Sequence, residues 1–271
     1  MFPSFKSSEP DAPLAIEPVA GEFPKIEGAQ IAAATYGKRV AGDFYDSVRV
    51  SPERILFGLL DVAGRRENNQ QVLSAAQKIF RTLGAQLFSR ADMNESEAMT
   101  ELCLRLNRGI MEAAAGVRSC PAFIGCYREK FGTLCYSNAG HTPGLLLDST
   151  GIAELRSTGL PLGLFSHATS EAPIAGMERG AVLLLVSRGI IEGEHDEGAG
   201  EKSEFGLNRV KDQMQKNQLL QKDQLQKDRL QGDRSLGPEE LCASVLNAAV
   251  ECACGPLIHE DMTALALVRT A

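Results

Sequence analysis

Residues 55–60, with the sequence ILFGLL, constrain the fold of this chain more than any other segment. The run is apolar throughout, which is typical of a strand that is buried on both faces. A polar turn, SPER, comes just before it, and the segment VRV at residues 48–50 precedes the turn. The pattern therefore predicts a β-hairpin whose second strand is covered on both sides.

The rest of the chain alternates between strand-like and helix-like periodicity. A first strand is predicted at residues 31–36, and later strands at 123–127, 133–136, 145–147, 182–186 and 262–269. Two helices follow the hairpin, because apolar residues recur there at spacings of three and four: Val72, Ala76, Ile79, Leu83 and Leu87, then Met99, Leu102, Leu106 and Ile110. Asn94 and Glu97 form a plausible N-cap pair for the second helix, and Pro238 begins a final one. This order predicts an α+β layered domain.

Two segments differ from the remainder in composition. The first two dozen residues carry five of the twelve prolines, so residues 1–25 are predicted to be a flexible arm before a domain at 26–271. At about 211–234 the chain repeats QKNQL, QKDQL and QKDRL, and the leucines of this repeat never form one helical stripe. We interpret it as a polar helical extension or a floppy insertion; a coiled-coil partner site would need a 3.5-residue spacing that is missing.

Net charge, the length of apolar runs and the cysteine count argue against several classes of protein. The formal net charge of −7 argues against nucleic-acid and membrane-surface binding, because no basic face is available to contact phosphates. No run approaches the roughly 18 apolar residues of a membrane span, and the N-terminus lacks the apolar core of a secretory signal. Seven cysteines, an odd number, indicate reduced thiols. We expect a cytoplasmic protein of unassigned oligomeric state.

Acidic residues at predicted strand ends are the first candidates for chemistry. Asp61 ends the apolar run, Asp43 and Asp46 lie in AGDFYD, and the pair Glu260-Asp261 precedes the last strand. Carboxylates on rigid elements are the usual ligands of hard divalent cations. Each could instead be a turn residue that hydrogen-bonds its own loop, and spacing alone does not show that the three segments converge.

Seven motifs in one order identify a resemblance. They are GDFYD, DVAG, GTLCYSNAGHTPGLLL, GLPLGLF, VLLLVSRGIIEG, FGLNR and EDMTALALVR. Together they resemble the phosphatase domain of stage II sporulation protein E and its relatives, a branch of the metal-dependent (PPM) protein serine/threonine phosphatases. The resemblance covers about residues 24–269. It implies a four-layer α-β-β-α sandwich of two antiparallel sheets flanked by helices.

The resemblance also implies a site with two Mn²⁺ or Mg²⁺ ions. Asp61 would bridge both ions, the backbone carbonyl of Val62 would help to hold one, and Asp43 would lie beside them. Glu260 stands where the family has the first aspartate of an Asp-Asp-Met-Thr stretch. Such ions lower the pKa of a bridging water and neutralise charge on the phosphoryl oxygens. The implied reaction is hydrolysis of phosphoserine or phosphothreonine on a small regulatory protein, such as an anti-sigma-factor antagonist.

Arg188 departs from the family pattern. The turn that should contain a metal-binding aspartate between Ser187 and Gly189 contains this arginine, which has no acceptor atom and stays protonated. With Asp43, Asp61 and Glu260 the site would carry a net charge of about −2, which suits one dication at most.

Two interpretations of the departure follow. In the first, the protein is a one-metal phosphatase in which Arg188 clamps the phosphate. In the second, it is a weak or inactive pseudophosphatase that binds a phosphoprotein or switches partners. Arg188 could also displace the metal by forming a bidentate pair with Asp61 or Glu260. His141, in the SNAGHTPG segment, is predicted to have a structural role in its turn.

Overall fold

The computed structural model describes residues 22–37, 42–62, 66–192, 194–196, 202–227, 237–252 and 261–271. The strands are β1 Ala29–Tyr36, β2 Gly42–Ser51, β3 Arg54–Val62, β4 Ala122–Arg128, β5 Thr133–Ala139, β6 Gly144–Asp148, β7 Gly151–Leu155, β8 Ile174–Gly176, β9 Val182–Val186, β10 Glu194–Asp196, β11 Lys202–Glu204 and β12 Met262–Arg269. The helices are α1 Arg66–Phe88, α2 Glu95–Ala113, α3 Arg188–Ile191, α4 Gly206–Lys227 and α5 Pro238–Cys252.

Two antiparallel sheets of five strands form the body of the molecule. The first has the order β1-β12-β9-β6-β7, the second has the order β2-β3-β4-β5-β8, and β10 pairs with β11 separately. One apolar cluster lies between α1, α2 and the second sheet, and another lies between α4, α5 and the first. A third cluster fills the space between the two sheets. The predicted four-layer α-β-β-α sandwich is confirmed.

Strand β3 shows why the apolar run was informative. Ile55 and Phe57 belong to the cluster between the sheets, whereas Leu56 and Leu60 pack against the helices. Because side chains alternate along a strand, an entirely apolar strand must be covered on both faces. The predicted cap of α2 is also present, since the Asn94 side chain accepts hydrogen bonds from two backbone N–H groups of the first turn.

Asp46 corrects one expectation. Residues 42–46, GDFYD, form the beginning of β2, and in a strand residues three apart point to opposite faces. The carboxylate of Asp46 is therefore buried beneath α1, 2.7 Å from the Arg81 Nε and 3.1 Å from the Gln77 Nε2, both of which donate to it. It anchors α1 to the sheet and is separate from Asp43.

The two compositionally unusual segments are described only in part. Most of the predicted arm at residues 1–25 lies outside the described residues, but the ring of Phe23 stacks on Tyr45 at 5.8 Å. The predicted insertion at about 211–234 begins inside α4, which is helical as far as Lys227. Val210 and Met214 pack in the core of the first sheet, so the start of this helix is part of the domain.

Two further expectations from the sequence concern the cysteines and membrane-spanning helices. The cysteines there, Cys103, Cys120, Cys126, Cys135, Cys242 and Cys252, are all free thiols, as predicted. Among the same residues, none of the helices is both long enough and apolar enough to cross a membrane.

Candidate functional site

Asp43 and Asp61 lie directly opposite one another at one end of the sandwich. They are register partners in the antiparallel pairing of β2 and β3. Side chains that oppose each other in this way share a face, with Cβ atoms about 4.5–5.5 Å apart. Gly42 allows the strands to approach closely here, since a Cβ at this position would lie 2.0 Å from the Val62 carbonyl oxygen. The structure thus brings together two of the predicted ligands.

Asp261 supplies a third carboxylate from the other sheet. It directly precedes β12 and is buried. Its Oδ1 lies over Gly37, where an added Cβ would come within 2.7 Å. The sequence pattern favoured Glu260 of this pair as a ligand, but Glu260 lies outside the described residues. The negative charge of Asp261 acts on Asp43 from this position.

The pKa of Asp43 is shifted by its burial and by its neighbours. Burial, and then the negative charges of Asp61 and Asp261, raise it to about 7, although hydrogen bonding with the Ser187 side chain partly opposes the rise. A carboxyl group in this environment is stabilised by either a proton or a cation. The arrangement is chemically suited to a bound positive ion.

Arg188 lies beside Asp61, at the edge of the group of carboxylates formed by Asp43, Asp61 and Asp261. Its Nε is 3.8 Å from Asp61 Oδ2 and 3.5 Å from Glu192 Oε2, and its side chain is 46% exposed. Charge-assisted hydrogen bonds are about 2.7–2.9 Å long, so these are single, loose ion pairs. The bidentate pair with Asp61 that we considered is not formed. Glu192 was missed from the sequence, although its spacing of four residues from Arg188 on a helical turn is the signal that could have found it.

Asn69 is another residue that sequence reasoning missed. Its Nδ2 donates to the Val62 carbonyl oxygen at 3.4 Å, and its side chain is fully buried in the first turns of α1. The helical spacing of Asn69 from Val72 and Ala76 places it on the buried stripe, where a polar residue is unusual.

His141 is buried in its turn, and the structural role of its side chain stays a prediction. Its backbone N–H donates to Asn138 Oδ1 at 2.8 Å, and the hydroxyl of Thr142 donates to the Val186 carbonyl beside the site. Burial lowers the pKa of His141 to about 4, so the imidazole is neutral near pH 7. The hydroxyl of Thr142 joins this loop to β9.

Asp43, Asp61 and the Val62 carbonyl are oxygen donors of the kind that a divalent cation takes. No three histidine, cysteine, aspartate or glutamate side chains in the described ranges are placed as a ready metal-binding set. Mg²⁺, however, is commonly held by one or two carboxylates and keeps several of its waters. Asp43, Asp61 and the Val62 carbonyl could supply the protein ligands of such a site. Three carboxylates and the Arg188 guanidinium leave a net charge of about −2, which one dication neutralises.

Two packed antiparallel sheets flanked by helices, with opposed carboxylates at one end, define the class of PPM-type phosphatase domains. The family model of stage II sporulation protein E (SpoIIE) matches residues 51–270. The chain belongs to this family, whose members are PPM-type serine/threonine phosphatase domains that depend on metal ions.

Individual relatives are distant in sequence. Protein IcfG of Synechocystis sp. is 23% identical over 215 residues, which are 72% of this chain and 33% of IcfG, so the chain spans about a third of that relative. The RsbU and RsbW domains of a Mycobacterium tuberculosis protein match with a TM-score of 0.70 and 20% identity, over 92% of this chain and 62% of that one. The PP2C phosphatase domain of Bacillus subtilis SpoIIE, with a fragment of its regulatory domain, matches with a TM-score of 0.64 and 16% identity, over 90% and 64%. These structures share the fold.

Proposed function

We propose that this chain hydrolyses phosphoserine or phosphothreonine on a regulatory protein, using one bound Mn²⁺ or Mg²⁺ and Arg188 in place of a second ion. The observation that carries the proposal is the opposed pair Asp43–Asp61 with Arg188 in loose contact, 3.8 Å from Asp61. A small phosphoprotein such as an anti-sigma-factor antagonist, in the cytoplasm, is the proposed substrate. Its support is the RsbW domain that accompanies the RsbU domain in one matched structure.

Asp43, Asp61 and the Val62 carbonyl would hold the cation, and Glu260 remains a proposed further ligand. When bound, the ion would polarise a phosphoryl oxygen and lower the pKa of a coordinated water. Asp61 is held by its backbone, because its N–H donates to the Pro121 carbonyl at 2.8 Å. Asp43 is held by the β2–β3 pairing. Both carboxylates are therefore oriented before an ion arrives.

Arg188 would orient the phosphoryl group. Guanidinium donors match phosphate oxygens in a bidentate geometry, and arginine stabilises transferring phosphoryl groups in other enzymes. Because Arg188 is half-exposed and makes only single long contacts with Asp61 and Glu192, it can turn toward a substrate without breaking a strong ion pair. The two carboxylates keep it close to the cation position.

The proposal is tested by Mn²⁺ titration and hydrolysis assays on the full chain. We expect calorimetry to show one Mn²⁺ per chain, and a phosphoserine peptide and an aryl phosphate to be hydrolysed only when Mn²⁺ is present. Chelation by EDTA should return the rate to background. Hydrolysis that survives chelation, or its absence at saturating Mn²⁺, would contradict the proposed activity.

The second candidate is a pseudophosphatase that binds a phosphoprotein without turnover. It is favoured by the positive charge of Arg188 beside Asp61, which weakens cation binding at the position where the family holds metal. The same assays separate the two candidates. Binding of a phosphopeptide that Mn²⁺ does not convert to product would establish the binding module.

Mn²⁺ affinity should fall as pH decreases from 8 to 6. In the metal-free site burial and neighbouring carboxylates raise the pKa of Asp43 to about 7, so below that pH a proton occupies the carboxylate and must leave before the ion binds. The apparent dissociation constant should rise by up to about tenfold per pH unit below 7. Calorimetry at three pH values measures it. The Asp43→Asn variant should bind weakly with little pH dependence over this range, and a parent protein that behaved the same way would refute the assignment.

A further inference from the structure

Strand β9 changes into helix α3 across a single residue, Ser187. The residue is fully buried with extended backbone angles, and Arg188, which follows it, is the first residue of α3. A serine just before a helix ordinarily caps it by accepting from N–H groups of the first turn, but the Ser187 side chain makes no such bond. Its hydroxyl accepts instead from the Thr263 backbone N–H, on the neighbouring strand β12, at 2.9 Å. The hydroxyl therefore belongs to the strand side of this junction.

The hydroxyl takes the place of the Ser187 backbone carbonyl in the sheet. Val186 and Ala264 are register partners, so Ser187 and Thr263 are the next pair along β9 and β12. In a regular antiparallel ladder, a bonded pair exchanges two N–H···O=C bonds. The first is present, from the Ser187 N–H to the Thr263 carbonyl at 2.8 Å. The second is replaced, because the Thr263 N–H donates to the hydroxyl rather than to the carbonyl.

The Ser187 carbonyl is thereby released for the helix. It accepts the Ile190 N–H at 3.1 Å, and this bond closes the first turn of α3. The next bond runs from the Glu192 N–H to the Arg188 carbonyl at 2.9 Å. A carbonyl kept in the ladder would point toward β12 and away from this turn. The hydroxyl thus lets the chain leave the sheet and enter α3 while the buried Thr263 N–H keeps an acceptor.

The direction of this turn determines where Arg188 lies. Arg188 follows β9 of the first sheet, whereas Asp61 is on β3 of the second sheet and is held by its own backbone bond to Pro121. The contact between the two side chains, 3.8 Å from Nε to Oδ2, is too long to fix the guanidinium by itself. The backbone of Arg188 must therefore be placed by the junction.

We infer that Ser187 is a positioning residue whose hydroxyl replaces a ladder carbonyl, so that α3 starts at Arg188 and the guanidinium lies beside Asp61. Its effect on substrate rests on the proposed function of Arg188, whereas the junction itself does not. Removal of the hydroxyl leaves the Thr263 N–H buried without an acceptor, which is unfavourable. The nearest replacement is the backbone carbonyl at the same position. Its return to the ladder would open the first turn of α3 and displace Arg188.

Amide hydrogen exchange on the metal-free full chain, resolved by residue with NMR, tests the junction. In Ser187→Ala the Ile190 amide should exchange at least about fivefold faster than in the parent, because it loses its acceptor, while the Thr263 amide should stay within about twofold. Ser187→Thr keeps the hydroxyl and should leave both rates at parent values. An Ile190 amide that keeps the parent rate in Ser187→Ala overturns the inference.

Two further variants complete this test. Ser187→Cys keeps nearly the volume of serine but offers only a weak acceptor, so it should also accelerate the Ile190 amide, and it serves if the alanine variant does not fold. Ser137→Ala is the matched control, because Ser137 is equally buried and its hydroxyl bonds Ser170. It should leave the Ile190 amide at the parent rate. An equal acceleration in this control would overturn the assignment to the junction.

Steady-state kinetics show whether the junction acts through Arg188. Under the proposed function, Arg188→Met and Ser187→Ala should each raise the KM for the phosphoserine peptide on the order of tenfold, as expected for the loss of a charge-assisted hydrogen bond, with a smaller change in kcat. The double variant should be no worse than Arg188→Met alone. Additive effects would overturn the link to Arg188. A parent that hydrolyses nothing contradicts the proposed function, and the exchange rates still decide whether Ser187 sets the junction.

Discussion

Replacement of Arg188 by aspartate is expected to create a second cation site and to raise Mn²⁺-dependent hydrolysis on the order of tenfold or more. The substitution removes a positive charge near Asp61 and adds a carboxylate in the turn after β9. At about 4 Å, each unit charge changes the interaction with a neighbouring charge by about 4 kcal/mol near a protein surface. A change of this size in the interaction energy is expected to allow a second dication to bind where Arg188 now repels it. Calorimetric stoichiometry and initial rates at saturating Mn²⁺ measure both effects.

Arg188→Met is the matched control for this experiment. It removes the charge but adds no ligand, so one ion should bind more tightly than in the parent and no second ion should bind. If Arg188 clamps phosphate, this variant should also have a higher KM for the phosphoserine peptide. The charge argument would be refuted by a parent protein that already binds two Mn²⁺ ions tightly.

Asp61→Asn is expected to lower Mn²⁺ affinity by at least about 100-fold and to reduce hydrolysis to the metal-free background. An amide offers one neutral oxygen where the carboxylate offers two charged ones. The fold should persist, because asparagine has nearly the same shape and the backbone bond to Pro121 is unchanged. Thermal unfolding in EDTA should therefore give a melting temperature close to that of the parent, while titration and rate measurements show the loss.

Asp92→Asn provides the comparison for that loss. Asp92 is exposed, pairs with Arg90 and belongs to the turn before α2. The same chemical change there should leave Mn²⁺ binding and hydrolysis at parent values. If Asp61→Asn also retained them, Asp61 would not be a ligand and the proposed site would be wrong.

Much of the fold was predictable because its signals are local. The apolar β3 run, the spacing of residues along α1 and α2, the Asn94 cap and the last strand each depend on residues within one element. The short elements β7, β8 and α3 were missed, since they carry little periodicity of their own. Asp46 was considered together with Asp43 because both lie in AGDFYD, at a predicted strand end. Recognising a strand there would have placed the two carboxylates on opposite faces.

The sequence by itself determined the family and the layered fold, and it predicted Asp43, Asp61 and Arg188 as the site residues. Only the tertiary structure decided that the two aspartates oppose each other and that Arg188 touches Asp61 through one long contact. It also decided that the Ser187 hydroxyl accepts a hydrogen bond from the Thr263 backbone N–H instead of capping α3. These relations depend on strand register and on how the two sheets pack. They join residues that are far apart in the chain, and no local propensity encodes the distance or direction between their side chains.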